Sequence, residues 1–265
     1  MKIVSTLATA SLLLGVTSAI LGGEIIPSGK KTYTAGLRNS ISNSSFCAGA
    51  LISPTHVLTS ASCDKEGINY VSVGSHNVNG TDDGEVIKVK SVAPHPNYNA
   101  NVSLEWDYAI VALETPSKFA PVKLANSNDS DVQEGTPLTA IGWGVADCQD
   151  EHSSSELRAV ALNAWDSKSC IDVFTEPFYP SQLCAGGDLN KGTAFGDMGG
   201  PFIKDNQEGD ADDVLIGIST DGYGCGSDYP NVFSRVTTAL PWINSIVHGE
   251  QRSQTQDTGC PFPSE

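Results

Sequence analysis

Basic side chains are scarce in this sequence. The 265 residues carry 15 Lys and Arg against 31 Asp and Glu, a formal charge of −16. Such a chain repels polyanions, so nucleic acid and anionic membrane surfaces are disfavoured as partners, and a basic macromolecule is attracted at long range. Long apolar runs are missing as well. The longest, about Leu7 to Val16, is broken by Thr9 and Ser11 and is too short to span a bilayer. It sits inside residues 1–19, where an early lysine, an apolar middle and the small end Thr17-Ser18-Ala19 read as a secretory signal peptide. Cleavage after Ala19 would remove Lys2 and leave residues 20–265 at −17, one positive charge fewer than −16. No later segment is apolar enough for a membrane anchor.

There are five histidines, His56, His76, His95, His152 and His248, scattered without metal-ligand spacing. No glycine motif for a nucleotide and no solenoid-type repeat is present. Neither a metal nor a cofactor is therefore expected. Seven cysteines stand at 47, 63, 148, 170, 184, 225 and 260. Secretion permits disulfides, and an odd count leaves at least one thiol unpaired within the chain. Sequons for N-glycosylation begin at Asn43, Asn79, Asn101 and Asn128.

Long helical periods are few. What recurs instead is the short Val/Ile/Leu/Thr-rich run between Gly, Pro, Asn and Asp. Examples are "GALISPTHVLTS" (49–60), "EVIKVKSVAPHP" (85–96), "TPLTAIGWG" (136–144) and "NVFSRVTT" (231–238). This spacing predicts an all-β sandwich or barrel. A short helix is expected after Asp166, and "TALPWINSIVHG" (238–249) reads as a closing helix ending at Gly249. The polar stretch 125–137 divides two β units. Residues 249–265 form a polar tail without periodicity, expected to be disordered.

Seven stretches in order carry a resemblance. They are "ILGG" (20–23), "CAGALISPTHVLTSASC" (47–63), "WDYAIVAL" (106–113), "AIGWG" (140–144), "CIDVFTEPFYPSQLCAGG" (170–187), "GDMGGPF" (196–202) and "DGYGCG" (221–226). Together they resemble the trypsin/chymotrypsin family over residues 20–248. The resemblance implies a double six-stranded β-barrel with a C-terminal helix, barrel one about 20–125 and barrel two about 136–237.

The family's Ser-His-Asp chemistry needs a nucleophile, a base and an orienting carboxylate. By the motif matches the carboxylate is present as Asp107, while Ser62 stands at the base position and Met198 at the nucleophile position. A hydroxyl is too weak a base to replace imidazole, and a thioether cannot attack a carbonyl. Loss of either group from such a triad costs roughly 10⁶-fold in rate. No other histidine matches a family position. The primary pocket differs too, with Gly192 at its base, Asp221 on its wall, Asn231 in place of a glycine, and Ala194 where a cysteine is usual.

The resemblance also implies an ion pair between the Ile20 ammonium, released by signal cleavage, and Asp197. It implies disulfides Cys47–Cys63 and Cys170–Cys184, and it places Cys148 near Cys225, each without its conventional partner. Cys260 is then the odd thiol. Among inactive members the chain is similar to the glucanase inhibitor proteins secreted by oomycete plant pathogens. The implied function is binding and inhibition of a plant endo-β-1,3-glucanase in the apoplast, which would suppress release of elicitor-active glucan fragments. Tyr98, Trp106, Asp221, Tyr223 and Tyr229 are candidate contact residues. Other readings remain open: a protein-binding pseudoprotease with another partner, an unorthodox enzyme using Thr193, Ser62 or Ser219, a lectin-like module, or a protease inhibitor.

Overall fold

The computed structural model describes residues 20–80, 83–101, 103–145, 148–149, 152–174, 177–206, 209–220 and 225–256. The expected signal peptide, Asp221, Tyr223 and Cys260 lie outside them. In the first half the strands are β1 (Glu24–Ile25), β2 (Thr34–Arg38), β3 (Cys47–Ser53), β4 (His56–Thr59), β5 (Tyr70–Val73), β6 (Glu85–Pro94), β7 (Ala109–Leu113) and β8 (Lys123–Leu124). The second half holds β9 (Pro137–Gly142), β10 (Arg158–Asn163), β11 (Gln182–Gly186), β12 (Pro201–Lys204), β13 (Val214–Ser219) and β14 (Pro230–Arg235). Helices α1 (Ser167–Val173) and α2 (Val236–Gln256) complete the fold.

Strands β2-β3-β4-β7-β6-β5 close into a barrel. β3 (CAGALIS) and β7 (AIVAL) are buried at every position, because one face fills the barrel and the other is covered by neighbouring elements. A strand buried on both faces reads as a continuous apolar run, not an alternating one. The second sheet runs β1-β10-β9-β12-β13-β14-β11, and a bridge between Ala164 and Ala185 brings the end of β10 beside β11. β9 to β14 are thus the expected six strands of the second unit. β8 joins them in parallel beside β13.

Two boundaries differ from the sequence reading. Residues 20–25, placed by the resemblance in barrel one (about 20–125), pair with the second unit. β1 pairs with β10, Leu21 bridges Gly192, and Ile20 is buried in the core of Phe202, Phe233 and Leu138. Apolar burial, worth about 1.5–3 kcal/mol for a residue of this size, holds the segment there. The closing helix also does not stop at Gly249 but continues to Gln256. One helical glycine costs about 1 kcal/mol, and the Glu, Gln and Arg that follow are good helix formers. The short helix does start after Asp166, whose carboxylate accepts from the N–H of Lys168 (2.8 Å) and Ser169 (3.0 Å), an N-cap that satisfies two orphan donors.

The two units are bolted across their interface. Tyr108 donates its hydroxyl proton between two acceptors of the second half, the carbonyls of Ser181 (2.8 Å) and Arg235 (2.7 Å). Trp143 Nε1 donates to the His76 carbonyl at 3.0 Å. The candidate site lies along this seam.

Candidate functional site

Ser60 caps the 3₁₀ turn Ala61–Glu66, its hydroxyl accepting from the Ser62 N–H at 3.1 Å. This turn presents three donors to Asp107, which is fully buried. The carboxylate accepts from Ser60 Oγ (2.6 Å), Ser62 N (2.9 Å) and Ser62 Oγ (3.1 Å). Ser234 Oγ donates to the Asp107 carbonyl at 3.0 Å, fixing the residue from the second unit. Burial pushes the carboxyl above its ordinary pKa, and the hydrogen bonds from Ser60 and Ser62 oppose that rise.

Ser62 Oγ lies 2.9 Å from the Tyr98 hydroxyl. A serine has one proton, and it is spent on Asp107, so Tyr98 is the donor in that contact. Burial raises the Tyr98 pKa. The position matched to the catalytic base is therefore occupied by a hydroxyl chain, Tyr98 to Ser62 to Asp107. Neither hydroxyl of that chain accepts a proton from a nucleophile near neutral pH. Three histidines are engaged elsewhere. His56 Nδ1 contacts Ser53 Oγ (2.8 Å) and Thr55 Oγ1 (3.1 Å). His76 pairs with Glu156 at 3.0 Å. His95 stacks on Trp106 with ring centroids 4.7 Å apart and meets the edge of Trp242.

Met198 sits opposite. Its carbonyl accepts from Ala48 N at 2.8 Å and lies 3.6 Å from the Cys63 sulfur, next to Ser62. The half-buried side chain packs against the first barrel's core. Ser62 and Asp107 are thus joined, with the Met198 backbone beside Cys63, and the three matched positions carry no imidazole and no serine at the nucleophile position.

The loop before Met198 is braced. Asp197 is buried and accepts from the N–H of Gly144 (2.7 Å) and Ala194 (2.9 Å). Burial drives its carboxyl up to about 7, against those two amides. A side chain at Gly142 or Gly144 would collide with the carboxylate, which is why the Gly-Trp-Gly stretch is needed here. Asp197 N donates to Ala194 O, and Val145 N donates to Phe195 O at 2.8 Å.

At the position matched to the primary pocket, two segments are tied to each other. Asn231 is buried and reaches across to Thr193, accepting from its N–H at 3.2 Å and donating to its carbonyl at 3.3 Å. A Cβ at Gly192 would run into Asn231 Oδ1. Disulfides join Cys47 to Cys63, Cys148 to Cys225 and Cys170 to Cys184.

Of the candidate contact residues, Tyr98 and Trp106 are half-buried and engaged as described, and Tyr229 is exposed. Sequence reading missed Phe195, which is 72% exposed. The only signal for it was an aromatic beside the Gly-Asp of a loop. Asn43, Asn79, Asn101 and Asn128 are exposed in turns or bends. Among the described residues, no cluster of three or more His, Cys, Asp or Glu is placed to hold a metal, and no helix is long and apolar enough to cross a membrane.

A family model for trypsin matches residues 20–243. Glucanase inhibitor protein 2 of Phytophthora sojae is 45% identical over 262 residues, covering 95% of this chain and 90% of that protein. Glucanase inhibitor protein 3 of Phytophthora infestans is 45% identical over 262 residues, covering 94% of this chain and all of that protein. Glucanase inhibitor protein 2 of Phytophthora infestans is 47% identical over 260 residues, with coverage of 94% and 100%.

Proposed function

The chain belongs to the trypsin family, and we propose that it is a member without proteolytic chemistry that binds and inhibits a plant endo-β-1,3-glucanase. The observation that carries this reading is the 45–47% identity, over nearly the whole chain, to proteins named glucanase inhibitors. The hydroxyl chain at Asp107 and the thioether at Met198 support the loss of catalysis. The Asn231 side chain laced to Thr193 at the matched pocket position supports a second point, that no side chain of a partner is taken up there as a substrate would be.

Inhibition would then be occlusion by a preformed surface. Loops held on two braced β units lose little freedom on binding, so less of the contact energy is spent on ordering them. Secretion through the signal peptide would deliver the chain to the apoplast. There, fewer elicitor-active glucan fragments would be released and plant defence would be weakened. The acidic chain would steer a basic glucanase, and association would slow as salt rises.

The test is inhibition of β-1,3-glucan hydrolysis. Purified residues 20–265 are titrated against a panel of plant endo-β-1,3-glucanases. A dose-dependent fall in hydrolysis, with binding, is expected for at least one enzyme. Neither binding nor lost activity at micromolar protein would sink the reading and leave a pseudoprotease with another partner.

A further inference from the structure

The described surface near the former cleft carries an aromatic side chain that the fold does not use. Phe195 is 72% exposed and makes no ring contact among the described residues. Its backbone, by contrast, is tightly held. Val145 N donates to its carbonyl, and the residue before it, Ala194, donates to the buried carboxylate of Asp197. The residue after it, Gly196, has φ +95 and lies against Gly144 and Ser153, where a Cβ would crowd both. A phenyl ring is thus displayed to water on a loop with little freedom left to lose.

The neighbouring segments of the chain are braced too. Thr193 is tied to Asn231, two residues beyond Tyr229, and Asn190 N donates to Gly226 O at 2.9 Å. The Cys148–Cys225 bridge fastens Cys148 to the same segment. These ties brace the stretches that carry Leu189 (70% exposed) and Tyr229 (47% exposed), together with exposed Asp188 and Asp228.

We infer that Phe195 is the anchor of the inhibitory surface and that it enters the glycan-binding cleft of the glucanase. This rests on the glucanase-inhibitor reading. Sugar-binding clefts offer aromatic platforms to the flat apolar faces of pyranose rings, and a phenyl ring stacks on such a platform as well as a sugar does. A rigid aromatic loses few rotamers on insertion, the property that makes aromatics frequent hot spots. The exposed Asp188 and Asp228 add to the negative charge of the chain, which suits a basic partner.

The experiment compares inhibition constants of wild type, Phe195→Ala, Phe195→Trp and Ile171→Ala against a glucanase that the wild type inhibits. Ile171 is another exposed apolar residue, on α1 (55%), and controls for general stickiness. Phe195→Ala is expected to weaken inhibition roughly 30-fold with an unchanged melting curve. Phe195→Trp should keep it within a few-fold, and Ile171→Ala should leave it unchanged. Phe195→Ala within about threefold of wild type overturns the anchor and leaves the inhibitor reading intact. So does an Ile171→Ala loss equal to that of Phe195→Ala. A wild type that inhibits no glucanase in the panel overturns the inhibitor reading, and the anchor falls with it.

Discussion

Asn231 is laced to Thr193 through both ends of its amide, across the space that the family match assigns to the primary pocket. It acts as a plug and a brace at once. Asn231→Gly should remove both hydrogen bonds and open a cavity. A loss of roughly 1–3 kcal/mol is expected in urea unfolding. No peptidase activity should appear. An unchanged unfolding midpoint would show that the plug carries no stability.

Met198→Ser alone is expected to give no hydrolysis of peptide or ester substrates. No imidazole stands at the base position, where Ser62 is, to take the proton of the new hydroxyl. Turnover above the uncatalysed rate that disappears in Met198→Ser/Asp107→Ala would contradict this.

Asp197 gives a pH test of N-terminal processing. In a chain retaining Ala19 the carboxyl's partners among the described residues are two amides, and burial pushes its pKa up to about 7 against an ordinary 3.8. Because the folded value is raised, the protonated form is favoured. The contribution to stability is complete below pH 3.8 and is lost as pH rises from there to about 7, on the order of 4 kcal/mol in all. In a chain starting at Ile20 we propose that the new ammonium pairs with Asp197, lowers that pKa and removes the decline. Asp197→Asn should then destabilise the processed chain by about 3–5 kcal/mol, since one partner of a buried pair is left alone, and should not destabilise the chain that keeps Ala19. Unfolding midpoints between pH 5 and 8 measure both. Identical pH profiles for the two chains, or N-terminal sequencing that finds another start, would rule the pairing out.

The Cys148–Cys225 bridge closes a sequence separation of 77 residues. On the chain-entropy account a loop of that length is worth about 4 kcal/mol. The double variant Cys148→Ser/Cys225→Ser should therefore melt several degrees lower while keeping its β-sheet circular dichroism. Peptide mapping of the wild type should yield a 148–225 cross-linked peptide. A 225–260 peptide in its place would refute the pairing.

Much of the fold was legible in the linear sequence, for a physical reason. Strands are announced by β-branched and apolar runs between turn formers, and α1 by the Asp166 cap. These signals act between near neighbours. The losses at Ser62 and Met198 are equally local, since each sits inside a stretch whose other residues identify it. The acidic charge is a sum over residue types and needs no coordinates at all.

Other features rest on contacts between distant parts of the chain. Asn231 meets Thr193 across 38 residues, and Tyr98 meets Ser62 across 36. No local period encodes either contact. β1 joined the second sheet because the buried site for Ile20 is built by residues more than a hundred positions later. Phe195 is the sharpest case. By residue type a phenylalanine is expected inside, and its sequence neighbours do not say otherwise. It stands in water because the glycine turn and the Asp197 carboxylate fix its backbone so that the core, already filled by other side chains, lies behind it.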